Sequence, residues 1–257
     1  MPISFFKYQS TGNDFVLIDN RKGNFPADDK TLIHKICDRR FGVGADGLIL
    51  LETSELADFT MQYYNADGSL GSFCGNGARA IVSFAQTLGL IVNKATFEAY
   101  DGIHEAIIAG ENIQLKMADV QNGRQLLNGT FIDTGSPHYI EFVVNLDEMD
   151  VVKEGRLVRY STIFAPNGSN INYVEKAGHG KIKVRTYERG VENETLSCGT
   201  GVTASAIAAA GTGFGNSIAI STLGGNLKVW FEQNESGYHN IWLEGPTEMV
   251  FSGEFEG

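Results

Sequence analysis

The chain has 257 residues, is 42% hydrophobic and 20% charged, and carries a formal net charge of −11. That size and balance fit a globular protein of one large or two ordinary domains, and the acidity argues against nucleic acid as a partner, because phosphate binding needs a basic patch. No apolar stretch reaches the roughly 18 residues of a membrane span, the residues from Met1 to Lys7 lack the basic flank and apolar core of a signal peptide, and three cysteines make no disulfide framework, which points to free thiols in a reducing cytoplasm.

Thirty-one glycines against five prolines predict many tight turns between short strands. Periodicity predicts strands over 14–19 and 47–51. Between them Leu32, Ile33, Ile36 and Cys37 share one face of a helix whose N-cap is Asp28 or Asp29, so Cys37 is expected in the core. Strands over 59–64, 96–100 and 113–117 follow, and a helix opens after Cys74 and closes near Gly89, a residue suited to the position after a helix end. The order then returns: a strand over 181–187, a helix after Cys198 closing near Gly211, and strands over 217–221, 227–231 and 239–243. The second of these helices contains Ala204, Ala206, Ile207, Ala208, Ala209 and Ala210, too apolar for a surface helix. Each half therefore reads as a sheet wrapped around a central helix. The fold class is α/β (α+β) in two pseudo-symmetric domains, 1–118 with Cys74 and 119–247 with Cys198, and a strand at about 248–257 can return to the first.

The two cysteine segments look like copies of each other. Cys74-Gly75-Asn76-Gly77 and Cys198-Gly199-Thr200-Gly201 each read Cys-Gly-x-Gly before a small-residue helix, roughly half the chain apart. A free cysteine is ordinarily a small buried hydrophobe. Here each sulfur sits at a helix start, where unpaired N–H groups and about half a positive charge favour the thiolate. The same N–H groups can hold a carboxylate. Two such groups acting on opposite faces of one carbon are what inversion of that carbon needs.

These motifs, together with Thr11-Gly12-Asn13-Asp14-Phe15, Phe41-Gly42-Val43-Gly44-Ala45-Asp46-Gly47, Tyr64-Asn65-Ala66-Asp67-Gly68, Gly135-Ser136-Pro137-His138, Asn170-Ile171-Asn172 and Tyr187-Glu188-Arg189-Gly190, resemble the diaminopimelate epimerase family in order and over nearly the whole chain. The resemblance implies a cofactor-free enzyme interconverting L,L- and meso-diaminopimelate, with no metal, usually a homodimer. It implies Cys74 and Cys198 as the two bases, with His138 tuning them and Glu188 also among the catalytic residues, and the N–H groups of Gly75, Asn76, Gly199 and Thr200 on the reacting carboxylate. Asn13, Asn65, Asn172, Glu188 and Arg189 would read the distal amino-acid end. An acidic and a basic residue beside amides suit a zwitterion, although adjacent Glu and Arg are ordinarily a solvated surface pair. Many family members have Asn where this chain has Ser136 and Gln where it has Gly47, both in the distal pocket. His34, His104, His179 and His239 show no metal-ligand spacing. Three alternatives stay open: a proline or hydroxyproline racemase, a thiol redox protein, which would usually show Cys-x-x-Cys, and a non-catalytic binding module.

Overall fold

The computed structural model describes residues 2–256. They divide into two compact units, one built from residues up to Leu115 together with those from Gly245 onward, the other from Lys116–Glu244. The first unit runs β1 (Ile3–Ser10), β2 (Asn13–Asp19), α1 (Lys30–Cys37), β3 (Gly47–Glu52), β4 (Phe59–Asn65), α2 (Gly75–Thr87), β5 (Lys94–Ala99), β6 (Gly102–Ala109) and β7 (Asn112–Lys116), which ends at the unit boundary. The second runs β8 (Val120–Gln121), β9 (Arg124–Leu126), β10 (Gly129–Asp133), β11 (Pro137–Phe142), α3 (Val151–Arg159), β12 (Asn170–Lys176), β13 (Lys181–Glu188), β14 (Asn193–Thr195), α4 (Gly199–Ala209), β15 (Ser217–Thr222), β16 (Gly225–Asn234) and β17 (Gly237–Pro246). The last strand, β18 (Glu248–Phe255), pairs antiparallel with β1 in the first unit.

The internal repeat is written in the pairing. In the first unit β2 and β3 are parallel across α1, β3 and β4 antiparallel, β4 and β5 parallel across α2, and β5, β6 and β7 form a meander. In the second, β11 and β12 are parallel across α3, β12 and β13 antiparallel, β13 and β15 parallel across α4, and β15, β16 and β17 form a meander. The cysteine-led helices α2 and α4 thus occupy the same crossover of the same motif.

Parallel crossovers bury a strand on both faces, so such strands are apolar continuously. Phe15 to Ile18 and Leu48 to Leu51 are all buried. Val16, Ile18, Leu48 and Leu50 pack with Ile33, Ile36 and Cys37 of α1. On the opposite face Phe15, Ile49 and Met61 lie against Gly77 of α2. Cys37 is core, and burial pushes its thiol up to about 12. Asp29 is the N-cap of α1, its carboxylate accepting from the Leu32 N–H at 3.0 Å. Helix α2 stops before Gly89, whose φ of +72° is the left-handed turn that follows a helix end.

The second core closes on α3: Val151, Leu146, Tyr139, Ile171, Tyr173 and Tyr187 pack together. Gly155 lies mid-helix against Tyr187, where a Cβ would sit 2.4 Å from the tyrosine Cβ. Every residue of helix α4 but the half-buried Thr200 is buried, as its alanines require. It extends past Gly211 into a wide turn, Ala210–Phe214, that reverses at Gly213 with φ +90°.

Candidate active site

The two cysteine half-sites begin alike and then diverge. Cys74 is the N-cap residue of α2, and its sulfur accepts from the Gly77 N–H at 3.5 Å. Cys198 is the N-cap residue of α4, with its sulfur 3.5 Å from the Thr200 hydroxyl. Both have extended backbone at the cap, so each sulfur stands at the positive end of its helix.

The glycines of the repeated motif divide the work. A Cβ at Gly75 would meet nothing nearer than Leu115 at 3.7 Å, but one at Gly201 would fall 2.5 Å from Asn172 Oδ1 and 3.2 Å from His138 Cε1. The second glycine is therefore there for packing. Gly201→Ala should lower stability by about 1–3 kcal/mol of overpacking, outweighing the ~1 kcal/mol that Ala gains in a helix, whereas Gly75→Ala should be tolerated. Thermal unfolding of the two variants checks this, and equal melting temperatures would refute it.

Behind Cys198 runs a hydrogen-bonded chain. Asn172, fully buried, donates from Nδ2 to Tyr139 O at 3.2 Å and to His138 Nδ1 at 3.1 Å, and its Oδ1 accepts from Thr186 Oγ1 at 2.9 Å. With Nδ1 accepting, the imidazole carries its proton on Nε2 and donates to Thr200 Oγ1 at 3.0 Å. Thr134 Oγ1 fixes the same residue by donating to Thr200 O at 3.1 Å. Burial first, and Arg189 second, push His138 down from 6.5 to about 3, so it is neutral at physiological pH. Its folded pKa is below its unfolded one. The stability this brings is therefore present above about pH 6.5 and lost as pH falls toward about 3. Unfolding midpoints followed over that range should drop more steeply for the natural chain than for His138→Gln, and parallel curves would exclude the effect.

Asn172 is the most enclosed of the residues expected at the distal end. It is closed off, with both amide hydrogens engaged inside its own unit. Its neighbour Asn170 is the asparagine tied to the distal-end residues: Nδ2 donates to Ser136 Oγ at 3.0 Å and Oδ1 accepts from the Arg189 N–H at 2.8 Å. Glu188 and Arg189 are each half-buried and form no ion pair with each other among the described residues. Burial pushes the Glu188 carboxyl up against a hydrogen bond from Thr195 at 2.9 Å. Arg189 gives Nη1 to Asn167 O at 3.3 Å.

In the first unit Asn13 donates to Asp46 and accepts from Asn76 Nδ2 at 3.2 Å. Asp46 is held by Arg39 at 2.7 Å, which also pairs with Asp14. Burial would raise Asp14, but Arg39 and Lys7 outweigh it and hold the carboxyl far below the usual range. Asn65, exposed at the end of β4, donates to Ser69 Oγ at 3.1 Å. No side chain fits at position 47: a Cβ on Gly47 would lie 2.5 Å from Tyr63 Cε2. The tyrosine ring holds the volume that a glutamine would need. Thr186 and Thr134 lie outside the motif strings read from the sequence, and within Asn170-Ile171-Asn172 nothing local sets Asn170 apart from Asn172. No cluster of three or more metal-ligating side chains occurs among the described residues.

The family model for diaminopimelate epimerase matches residues 5–123 and 130–250. A diaminopimelate epimerase of Flavobacterium psychrophilum is 52% identical over 253 residues, covering 97% of this chain and 98% of that protein. One from Chlorobaculum tepidum is 43% identical, covering 94% and 97%. Among solved structures, a PhzF-family phenazine biosynthesis protein of Bacillus anthracis superposes with TM-score 0.78 at 18% identity, each chain covered fully. A hydroxyproline epimerase of Agrobacterium vitis with bound trans-4-hydroxy-L-proline gives 0.71 at 12%, covering 99% of this chain and 91% of that one. At these identities the superpositions show a shared fold.

Proposed function

Because this chain belongs to the diaminopimelate epimerase family, we propose that it interconverts L,L- and meso-diaminopimelate, in lysine and peptidoglycan precursor synthesis, by a two-base thiolate/thiol mechanism without a cofactor. The observation that carries this reading is the repeated half-site: two cysteines, each the N-cap of a buried helix at the same crossover of a duplicated motif. One sulfur, as thiolate, takes the proton from Cα. The other, as thiol, returns a proton to the opposite face, and the pair exchanges charge in each turnover. The N–H groups at Gly75, Asn76, Gly199 and Thr200 hold the α-carboxylate and stabilise charge building at Cα. No electron sink is needed if that charge is met by fixed dipoles and by exclusion of water.

The His138–Thr200 chain supports Cys198 in both protonation states. The Thr200 hydroxyl can accept from the thiol or turn and donate to the thiolate, while His138 stays neutral and acts as a donor. At the distal end Arg189 takes the carboxylate and Glu188 the ammonium, with Asn13 and Asn65 completing the set. Asn172 acts from behind by fixing the His138 tautomer. A cytoplasmic homodimer completes the proposal. Among the described residues no helix is long and apolar enough to cross a membrane.

Incubation with L,L-diaminopimelate and, separately, with L-proline in deuterium oxide tests the reading. Loss of optical purity and α-deuterium uptake are expected with the first substrate alone. Turnover of proline alone would make the protein a racemase, and inertness toward both would leave a redox or binding role.

A further inference from the structure

Arg79 is the largest fully buried side chain of the described residues. It lies in the second turn of α2, and helical side chains lean toward the N-terminus, so its stem runs back toward the Cys74 end. There Nη2 donates to Thr11 Oγ1 and to Asn76 Oδ1, both at 2.9 Å, and Nη1 reaches Gly75 O at 3.5 Å. The Nε hydrogen has no acceptor. No carboxylate pairs with the guanidinium among the described residues, and every partner it has is neutral. An isolated buried cation is strongly unfavourable, and proteins ordinarily pair one or discharge it. Burial pushes Arg79 down to about 10, which leaves it charged at neutral pH, and the one titratable group acting against that shift is Cys74. The neighbouring side chains on the strand side of the helix, Phe15, Ile49 and Met61 around Gly77 and Leu115 beside Gly75, are apolar.

The repeat supplies the control. Five residues after Cys198 the second unit has Thr203, also fully buried, whose hydroxyl donates to Gly199 O at 2.9 Å. A whole buried charge at one half-site therefore corresponds to a self-satisfied hydroxyl at the other. Cys198 has instead the Thr200 hydroxyl and, behind it, a neutral imidazole. Arg189 is a cation that acts on His138, and it is itself half-exposed and screened by water. A buried full charge outweighs neutral dipoles and a screened charge in favouring an anion.

We propose that Arg79 is a positioning residue for the reaction, its buried guanidinium holding Cys74, and not Cys198, as the thiolate of the resting enzyme. The proposal rests on the epimerase reading for its meaning in turnover: the resting enzyme is then set to take a proton on the Cys74 side and to give one from Cys198. Its test needs no substrate, so the two readings fail separately.

The measurement is the pH dependence of iodoacetamide alkylation in the full chain. Cys198→Ala reports Cys74 and Cys74→Ala reports Cys198, so that neither titration is coupled to the other sulfur. Cys37 stays silent because its thiol is pushed up to about 12. The Cys74 midpoint is expected at least one pH unit below that of Cys198, a tenfold difference in rate at pH values below both. Adding Arg79→Met to the Cys198→Ala background should raise the Cys74 midpoint by a similar amount. Arg79→Lys, which keeps the charge, should restore most of it, whereas a merely structural role would not separate Met from Lys. Cys198 titrating at or below Cys74, or an unmoved Cys74 midpoint in a folded Arg79→Met protein, would overturn the proposal. If Arg79→Met does not fold, the order of the two single-cysteine midpoints decides alone.

Discussion

Cys74→Ala and Cys198→Ala should each abolish epimerisation of diaminopimelate, by about 10³-fold or more, while leaving the fold unchanged. A positioned proton donor or acceptor contributes about 10²–10⁴-fold, and in a two-base inversion each face depends on one sulfur alone. Both cysteines are only partly buried N-cap residues, so truncation opens no large core cavity. Loss of the Cys74 cap should cost less than about 1 kcal/mol, because its bond to the Gly77 N–H is long, at 3.5 Å. Unfolding curves and the stereochemical assay, run on the same preparations, separate the two effects. A variant that keeps more than a tenth of the natural rate has lost only about 1.4 kcal/mol of barrier lowering, and that cysteine would not be a base. Cys37→Ala is the internal contrast: it removes a core side chain, so stability should fall and the rate of the folded fraction should hold.

Features encoded by contiguous residues were legible in the sequence. The Cys-Gly-x-Gly repeat, the continuous apolar strands β2 and β3, the Asp29 cap and the all-apolar α4 each carry their signal within a few residues. Helix α3 carries a weaker one. Its inward face is thin, Val151 and Gly155 buried with Val158 packed beside them, and the glycine at its centre reads as a break until Tyr187 is seen to need the space. Strand β18, expected at about 248–257, is exposed along nearly its whole length and lacks alternation, so no buried face fixes its bounds. Its state is set by pairing with β1, some 240 positions away in the chain. The site divides in the same way. The sulfurs were visible, but the chain from Asn172 through His138 to Thr200 joins residues 34 and 62 positions apart. Only the parallel register of β11 and β12, which sets His138 against Asn170 and Ile140 against Asn172, brings them together. The same register gives Asn170 and Asn172, equivalent in a motif string and both buried, different partners: Ser136 and the Arg189 N–H for the first, His138 and Thr186 for the second.

Arg189→Ala should weaken diaminopimelate binding by roughly 2–5 kcal/mol, the range for truncating one partner of a desolvated charge pair, which is about 30-fold to several thousandfold in KM. Within its unit Arg189 pairs with no carboxylate and gives one side-chain hydrogen bond, from Nη1 to Asn167 O at 3.3 Å. The rest of its donor fork is open to a ligand. Its backbone is fixed independently by the Asn170 bond at 2.8 Å, so truncating the side chain should leave the strand end in place. Arg189→Lys should recover only part of the loss, because an ammonium cannot reproduce two parallel N–H bonds to a carboxylate. The burden should fall on KM if the distal carboxylate is bound equally in the ground and transition states, and on kcat as well if that binding aligns Cα with the sulfurs. Removing Arg189 also takes away a charge that opposes protonation of His138, so the His138 pKa should rise while the imidazole remains neutral near pH 7. A competitive analogue lacking the distal carboxylate should bind the natural protein and Arg189→Ala equally well. If both Arg189 variants bind diaminopimelate as tightly as the natural chain, Arg189 is a surface residue and the distal end is read elsewhere.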